Sequence, residues 1–203
     1  MSDMNIPVIT IAREYYAGGR SIAQKLSEAL SIPWYDNDFV KLTSQISGYS
    51  ESEILEEGEE LSKLEYALDT LLNSANFYTS SHDEIHAAQK DAVLELAKKP
   101  CIIVGRGANA ILKDAGIESF DIFLYADKET RIQRTMEQMN FSKEAAKKYL
   151  DKKDEFRRTY YNKYSGRVHA DSHEYTVCID TGVIDYDKCA EVLVSMIKSK
   201  YGI

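Results

Sequence analysis

The alternation of apolar runs and helical segments predicts an α/β protein, a three-layer α/β/α arrangement in which helices cover both faces of a parallel five-stranded sheet. Two observations predict this class. Five short apolar runs are each followed by a segment of helical periodicity, and no two runs are adjacent as in a hairpin. The length of 203 residues is that of one domain, so we expect a single domain over residues 1–203.

The N-terminal part of the chain predicts two strands and two helices. Residues 7–12 are apolar and β-branched and end at a glycine-containing turn, as a strand does. Residues 21–31 place their apolar side chains on one helical face, and residues 32–36 form a short extended run. Asp38 then fits the N-cap of a helix that Gly48 closes.

The middle of the chain is predicted to be helical up to a buried strand. Residues 50–72 combine acidic side chains with a leucine stripe, which predicts a solvated helix and leaves a contact between two copies of the chain as an alternative use of the stripe. A polar interruption at 73–81 separates this segment from a helix at 83–98. Residues 100–105 are apolar throughout, which is typical of a parallel strand buried on both faces.

The C-terminal half continues the alternation of strands and helices. Ser142 fits the start of its longest helix, which runs through a basic segment. The predicted strands are residues 120–126 and 175–180, and the predicted helices are residues 108–112, 128–139, 142–164 and 185–200.

Composition excludes several classes of protein. Hydrophobic residues make up 44% and charged residues 29% of the chain, close to the average of globular proteins, which excludes a disordered or collagenous chain. No apolar run approaches the roughly 20 residues that span a bilayer, and residues 1–7 lack the features of a signal peptide. We therefore expect a cytoplasmic protein that does not bind membranes. Three scattered cysteines predict buried thiols rather than a disulfide framework or a zinc cluster.

Charge is distributed unevenly along the chain. There are 25 Lys or Arg and 33 Asp or Glu, a net charge of −8, which argues against nucleic acid as a partner. Residues 131–168 nevertheless contain eleven basic and five acidic residues, a local balance of +6. A small polyanion such as a nucleotide would need such a segment, and a solvated helix face is the alternative.

The loop after the first predicted strand carries the strongest functional signal. Ligands of open parallel sheets bind beyond the carboxyl ends of the strands, where this loop lies. Gly18, Gly19 and Ser21 fit a phosphate-binding loop, in which glycines let backbone N–H groups converge on phosphate and a hydroxyl reaches Mg²⁺. Glu14 stands where such loops begin with glycine and Arg20 where they carry lysine, so a plain glycine turn is the alternative.

Several segments follow one another in the order found in a known family, and they lie within residues 9–36, 104–112, 123–134 and 154–164. They resemble the bacterial cytidylate kinase-like proteins, relatives of cytidylate kinase among the P-loop nucleoside monophosphate kinases. The resemblance implies a P-loop NTPase fold, with ATP as the donor, Mg²⁺ as the required ion and CMP or dCMP as the acceptor. The implied parts are a core of residues 1–36, 100–130 and 174–203, a helical monophosphate-binding insertion at about 37–98 and a helical lid at about 140–170.

The resemblance also implies which residues bind ATP. The loop would hold the donor phosphates, with the Ser21 hydroxyl as a ligand of Mg²⁺ and the Arg20 guanidinium beside the transferred group. Tyr16 departs from the small residue usual at its position, and its bulk would narrow the space for phosphate. The implied ATP-phosphate-binding residues are Tyr16, Ala17, Gly18, Gly19, Arg20, Ser21 and Arg131.

Acceptor residues are implied in the same way. Arg106 matches the arginine of a Gly-Arg-Asp stretch in cytidylate kinase, whose aspartate is Gly107 here. It would grip the acceptor phosphate with two hydrogen bonds, and a surface arginine after a strand is the alternative. Asp36 would accept a hydrogen bond from a base amine or a ribose hydroxyl. The implied acceptor-binding residues are Arg13, Tyr35, Asp36, Arg106, Arg134 and Tyr161.

Asp154, Arg157 and Arg158 lie within about one turn of the predicted lid helix. The resemblance implies that the lid closes over the nucleotides, excludes water and brings these arginines to the transferring phosphoryl group, while Asp154 orients Arg157. Together with Arg20 they are the implied catalytic residues. An ordinary ion pair within the helix is the alternative for Asp154 and Arg157, and Arg131 could pair with a nearby carboxylate instead of phosphate.

Two histidines invite a metal interpretation that the sequence does not favour. His82 and His86 are four residues apart, but no glutamate follows His82 as in the zinc proteases, so no structural metal is predicted.

Taken together, the loop after the first strand and the family resemblance lead us to expect an ATP-dependent nucleoside monophosphate kinase. The alternatives are a nucleotide-binding sensor or partner-binding protein without transfer activity, and a kinase of a non-nucleotide acceptor.

Overall fold

The structure, a computed structural model, describes residues 6–52, 54 and 81–203. One sheet is formed by β1 (Val8–Arg13), β2 (Trp34–Tyr35), β3 (Ile102–Val104), β4 (Ser119–Tyr125) and β5 (Val177–Asp180). The helices are α1 (Gly19–Leu30), α2 (Asn37–Ser47), α3 (Ser81–Leu96), α4 (Ala108–Asp114), α5 (Lys128–Met139), α6 (Lys143–Ser165) and α7 (Tyr186–Tyr201), and a 3₁₀ turn covers Ser172–Glu174.

β1 lies in the middle of the sheet, whose strand order is β2-β3-β1-β4-β5. Every neighbouring pair is parallel, and Ile9 of β1 stands opposite Ile102 on one side and Phe120 on the other. The predicted parallel five-stranded sheet is confirmed. Because all strands run the same way, the loops after β1, β3, β4 and β5 emerge at one edge.

Helices cover both faces of the sheet. Successive side chains of a strand point to opposite faces, so Ile9 and its neighbour Val8 enter different cores. Ile9 packs with Leu26 of α1 and Leu193 of α7, whereas Val8 packs with Leu112 of α4 and with residues of α3. The structure therefore has the predicted three layers.

The boundaries of the described elements lie within two residues of the prediction, and the difference at the start of α2 is instructive. Its N-cap is Asp36 rather than the predicted Asp38, because the chain turns into the helix directly after β2. The predicted closure at Gly48 is confirmed by a left-handed φ of 79°, and Ser142 caps α6 by accepting a bond from the Ala145 N–H (3.2 Å). β3 and β5 each begin two residues later than predicted, where pairing with the neighbouring strand starts.

Part of the predicted acidic helix lies outside the described residues. Residues 51, 52 and 54 of the predicted segment 50–72 are helical. Ile54 is buried against Val40 of α2 and Ile85 of α3. Residues 53 and 55–72 of that segment and residues 73–80 of the predicted interruption lie outside the described residues.

The described residues bear on two expectations from the sequence, one about membrane-spanning helices and one about the cysteines. None of the described helices is both long and apolar enough to cross a membrane. All three cysteines are free thiols, and Cys101 and Cys189 are buried as predicted, whereas Cys178 is half-buried. Burial raises the pKa of Cys101 to about 12.

Candidate active site

The loop between β1 and α1 has a backbone of alternating handedness. Tyr16 (φ 60°) and Gly18 (φ 85°) both have positive φ angles, and Ala17 between them does not. Alternation of this kind turns successive peptide N–H groups toward one side and creates an anion-binding concavity. A tyrosine in this conformation costs roughly 1–2 kcal/mol, so neighbouring contacts must hold it.

Side chains from distant parts of the chain hold the carbonyl oxygens of this loop. Arginines of α5 and α6 supply three of the hydrogen bonds, and a threonine after β5 supplies the fourth. The donors are Arg157 to Arg13 (2.9 Å), Arg131 to Tyr15 (3.2 Å), Arg134 to Tyr16 (3.2 Å) and Thr181 to Ala17 (3.1 Å). The carbonyl oxygens are thus engaged by protein cations and a hydroxyl.

Behind the loop, the buried Arg131 and Asp154 form an ion cluster with the half-buried Glu14. The Arg131 side chain is only 7% exposed, and it contacts Glu14 (Nε to Oε2, 3.2 Å) and Asp154 (Nη1 to Oδ2, 2.6 Å). The other Asp154 oxygen accepts a bond from the Tyr15 N–H (2.9 Å). Burial raises the pKa of Glu14, and the Arg131 charge beside it partly opposes that change.

In front of the loop lies a cavity of about 1010 Å³. Its wall is formed by the loop, the first turn of α1, parts of α5 and α6, Asp36 and Arg106, and the segment after β5. Six cationic side chains and four carboxylates line it, and this excess of positive charge suits a phosphate-containing ligand. The cations are Arg13, Arg20, Arg106, Arg134, Lys153 and Arg157, and the carboxylates are Glu14, Asp36, Glu137 and Asp185.

Arg20 and Asp36 join the two sides of this cavity. The Arg20 Nε is bonded to the Asp36 carboxylate, which directly follows β2. Arg20 is 67% exposed and Asp36 only 5%, so the carboxylate is fixed while the guanidinium extends into solvent. Ser21 follows Arg20 in the first turn of α1, and Ser21 also lines the cavity.

Arg106 lies at the carboxyl end of β3, beside the loop after β1. It is only 5% exposed, and its backbone is left-handed with a φ of 60°. It lines the same cavity as Arg13 and the loop glycines. Arg106 therefore places a buried guanidinium at the wall of this cavity.

The structure brings eleven of the predicted site residues to this cavity: Arg13, Tyr16, Ala17, Gly18, Gly19, Arg20, Ser21, Asp36, Arg106, Arg134 and Arg157. Five others lie elsewhere. Tyr35 packs against the core of α3 and α4, and Arg158 lies on the exposed side of α6. Arg131 and Asp154 form the ion cluster behind the loop, so Asp154 does not pair with Arg157 as predicted.

Tyr161 is the fifth residue that lies away from the cavity. It is only 3% exposed, and its hydroxyl accepts a hydrogen bond from the Asn109 side-chain amide (2.9 Å). Its ring meets the His169 ring edge to face at 5.3 Å. Burial raises the pKa of Tyr161. These contacts are those of a core residue.

The segment after β5 was missed by the sequence analysis. Thr181 binds the loop, and Tyr186 lies so close to Gly18 that a methyl group there would be 2.4 Å from the ring. Arg134 stacks on the same ring with its guanidinium carbon 5.0 Å from the centroid. The rule that ligands bind at the carboxyl ends of strands, applied also to β5, would have found these residues. Nothing in the sequence singles out Lys153 from the other lysines of α6.

The architecture is the fold of P-loop kinases. A shikimate kinase from Acinetobacter baumannii, solved in complex with shikimate, shares it with a TM-score of 0.57 and 17% identity, covering 97% of this chain and 96% of that chain. A gluconokinase from Sinorhizobium meliloti 1021 does so with a TM-score of 0.57 and 11% identity, covering 97% and 94%. At these identities the likeness concerns the fold alone.

The chain belongs to the cytidylate kinase-like family, whose profile matches residues 8–183. An uncharacterized protein from Eubacterium ventriosum ATCC 27560 has a similar structure, with a TM-score of 0.67 and 27% identity over 95% of this chain and 99% of that chain. No curated protein matches the chain. Family and fold together support phosphoryl transfer as the class of reaction.

Proposed function

We propose that the protein transfers the terminal phosphoryl group of ATP to a nucleoside monophosphate, with CMP or dCMP as the acceptor. One observation carries the proposal: the glycine-containing loop after β1 and the buried Arg106 after β3 line one cavity. β1 and β3 are adjacent and parallel, so a donor bound at the first and an acceptor bound at the second would lie side by side. Membership of the family supports a nucleotide as the acceptor.

On the donor side, the N-terminal turn of α1 is the proposed phosphate site. The N–H groups of Glu14, Tyr15 and Ala17 already donate to Leu124, Asp154 and Glu14 respectively. Donor phosphates would therefore meet Gly18, Gly19 and the first turn of α1, where helix N–H groups and the helix dipole favour an anion. Arg20 would exchange the Asp36 carboxylate for a phosphate oxygen.

Mg²⁺ fits this site as a partner of the donor phosphates. Among the residues described, no group of three His, Cys, Asp or Glu gathers as a metal site. Mg²⁺ in kinases takes most of its ligands from phosphates and water, so one protein hydroxyl in the right place is enough. The exposed Ser21 in the first turn of α1 would supply that hydroxyl. The ion, when bound, would neutralise charge on the transferring group.

On the acceptor side, Arg106 would grip the acceptor phosphate and Arg13 would stand between donor and acceptor. Phosphoryl transfer needs positioning and charge neutralisation more than covalent help from the protein, and cations around one cavity supply both. Helix α6 contributes Lys153 and Arg157 to the same wall. Closure of α6 over the nucleotides would exclude the water that would otherwise hydrolyse ATP.

A coupled ATP-consumption assay over a panel of acceptors tests the proposal. The panel contains CMP, dCMP, the other nucleoside monophosphates, shikimate and gluconate. We expect turnover with CMP or dCMP. Arg106→Ala should raise the KM for the acceptor by about 10- to 100-fold, the loss of charge-assisted bonds, with a smaller effect on the KM for ATP. Arg20→Ala should mainly raise the KM for ATP, with a smaller effect on the KM for the acceptor.

The control is Lys128→Ala, which removes a surface cation paired with Asp151 and should leave both KM values unchanged. ATP binding without turnover on any acceptor would contradict transfer and support a nucleotide-binding protein. Turnover only with shikimate or gluconate would replace the nucleotide acceptor by a carboxylate-bearing one.

A further inference from the structure

One buried ion pair holds both backbone polar groups of a single residue of the phosphate loop. Asp154 of α6 accepts the Tyr15 N–H on Oδ1 (2.9 Å), and its Oδ2 contacts Arg131 Nη1 (2.6 Å). The same Nη1 donates to the Tyr15 carbonyl oxygen (3.2 Å). Asp154 is 8% exposed and Arg131 6% exposed, so these bonds are shielded from water.

The Arg131 Nε binds the frame around the loop. It donates to the Ala126 carbonyl oxygen after β4 (3.1 Å) and lies 3.2 Å from the Glu14 carboxylate. Arg131 therefore joins β4, the loop and α6. A guanidinium presents its donors in a rigid planar fork spread over three nitrogens, whereas an ammonium presents three donors from a single nitrogen.

We propose that Asp154 and Arg131 are positioning residues, which fix the shape of the phosphate loop from behind and tie it to α6. They would act through the loop and would not contact the transferred phosphoryl group. The next residue, Tyr16, has a strained positive φ of 60°, which the surroundings must hold in place. The Asp154–Arg131 pair anchors one side of Tyr16, and the bond from Arg134 to its carbonyl oxygen anchors the other.

This arrangement couples the loop to α6, which also lines the cavity with Lys153 and Arg157. Arg157, one turn after Asp154, donates to the Arg13 carbonyl oxygen (2.9 Å) and lies over the Tyr15 ring with its guanidinium carbon 5.0 Å from the centroid. Any displacement of α6 must either carry the loop along or break these bonds. The affinity for the phosphoryl donor and the position of α6 are therefore linked. This link rests on the proposed function, whereas the positioning role of Asp154 and Arg131 does not.

Amide hydrogen exchange of the nucleotide-free protein tests the positioning role without any ligand. Asp154→Ala removes both bonds and should speed exchange in a peptide covering residues 14–18 by at least about ten-fold. Asp154→Asn keeps an acceptor for the Tyr15 N–H but loses the charge, so its exchange should be intermediate. The control is Asp151→Ala on the same helix, which removes an exposed carboxylate paired with Lys128 and should leave the peptide unchanged. Wild-type exchange in Asp154→Ala would overturn the proposal.

If Asp154→Ala does not fold, as judged by circular dichroism, hydrogen exchange of Arg131→Lys tests the positioning role instead. It keeps the charge and loses the planar fork, so the same peptide should exchange faster, and unchanged exchange would overturn the proposal. Calorimetric titration with ATP then measures the linked effect. We expect at least about ten-fold weaker binding in Asp154→Asn and wild-type binding in Asp151→Ala. If the wild-type protein does not bind ATP, the proposed function fails while the exchange data still decide the positioning role.

Discussion

Replacing Gly18 by alanine should destabilise the protein through two separable effects. The first is backbone strain, because Gly18 has a φ of 85°, which side-chain-bearing residues rarely adopt. The second is a steric clash, because a methyl group on Gly18 would lie 2.4 Å from Cε1 and 2.9 Å from the hydroxyl oxygen of Tyr186. The Tyr186 ring would have to move away from the loop.

The magnitude follows from adding the two effects. A left-handed conformation costs an alanine roughly 1–2 kcal/mol, and forcing an extra methyl group into a packed contact costs roughly 1–3 kcal/mol. The free energy of unfolding should therefore fall by roughly 2–5 kcal/mol. For a domain of this size each kcal/mol corresponds to about 2–4 °C, so Tm should fall by roughly 4–20 °C.

Urea denaturation followed by circular dichroism separates the effects in a double-mutant cycle. The four proteins are the wild type, Gly18→Ala, Tyr186→Ala and the double variant. Without the Tyr186 ring, Gly18→Ala should cost only the backbone part, roughly 1–2 kcal/mol. Gly48→Ala is a matched control, because Gly48 has a similar φ of 79° and no atom of the described residues lies within 4 Å of an added methyl group.

Two results would refute this reasoning. An equal cost of Gly18→Ala with and without the Tyr186 ring would show that the ring does not press on the loop. A cost no larger than that of Gly48→Ala in the wild-type background would show the same by comparison with a position under backbone strain alone.

Two further predictions concern buried polar groups. Burial lowers the pKa of His86 from 6.5 to about 4, so between these values the unfolded chain takes up a proton that the folded protein does not. The free energy of unfolding should therefore fall as the pH drops from 6.5 to 4, by up to about 3 kcal/mol. In urea titrations at several pH values, His86→Phe should flatten this pH dependence. An unchanged slope would contradict the assignment of the effect to His86. Tyr161→Phe should cost about 1–3 kcal/mol by leaving the Asn109 amide without its acceptor, with the KM for the acceptor unchanged. A ten-fold rise in that KM would instead restore Tyr161 to the acceptor site.

The fold was predictable from the sequence because local patterns determine its elements. Helix α5 was predicted at its observed bounds of 128–139, since Asp127 caps its start and Asn140 adopts the left-handed conformation at its end. The strand order could not be predicted in the same way. Which strand lies beside which depends on contacts between distant segments, and periodicity along the chain carries no record of them.

The spacing along the chain located residues at the strand ends, but on α5 and α6 it located only some, since Arg134 and Arg157 line the cavity and Arg131 does not. Arg106 lies two positions beyond the last residue of β3, so the rule for carboxyl ends of strands identifies it. Arg131 and Arg134 are three residues apart on α5, and sequence spacing cannot tell that the first lies behind the loop and the second lines the cavity. Asp154 pairs with an arginine of another helix because a buried carboxylate needs a buried counter-charge, whose identity is decided by packing.

The bond from the Thr181 hydroxyl to the Ala17 carbonyl oxygen (3.1 Å) spans 164 positions of the chain. Thr181 also accepts from Arg134 (3.1 Å), so it joins the N-terminal loop, α5 and the outermost strand β5. A chain that ends after β4 would contain every glycine of the loop but would lack these hydrogen bonds of Thr181. The loop between β1 and α1 therefore gains its full set of hydrogen bonds only once β5 has docked on β4.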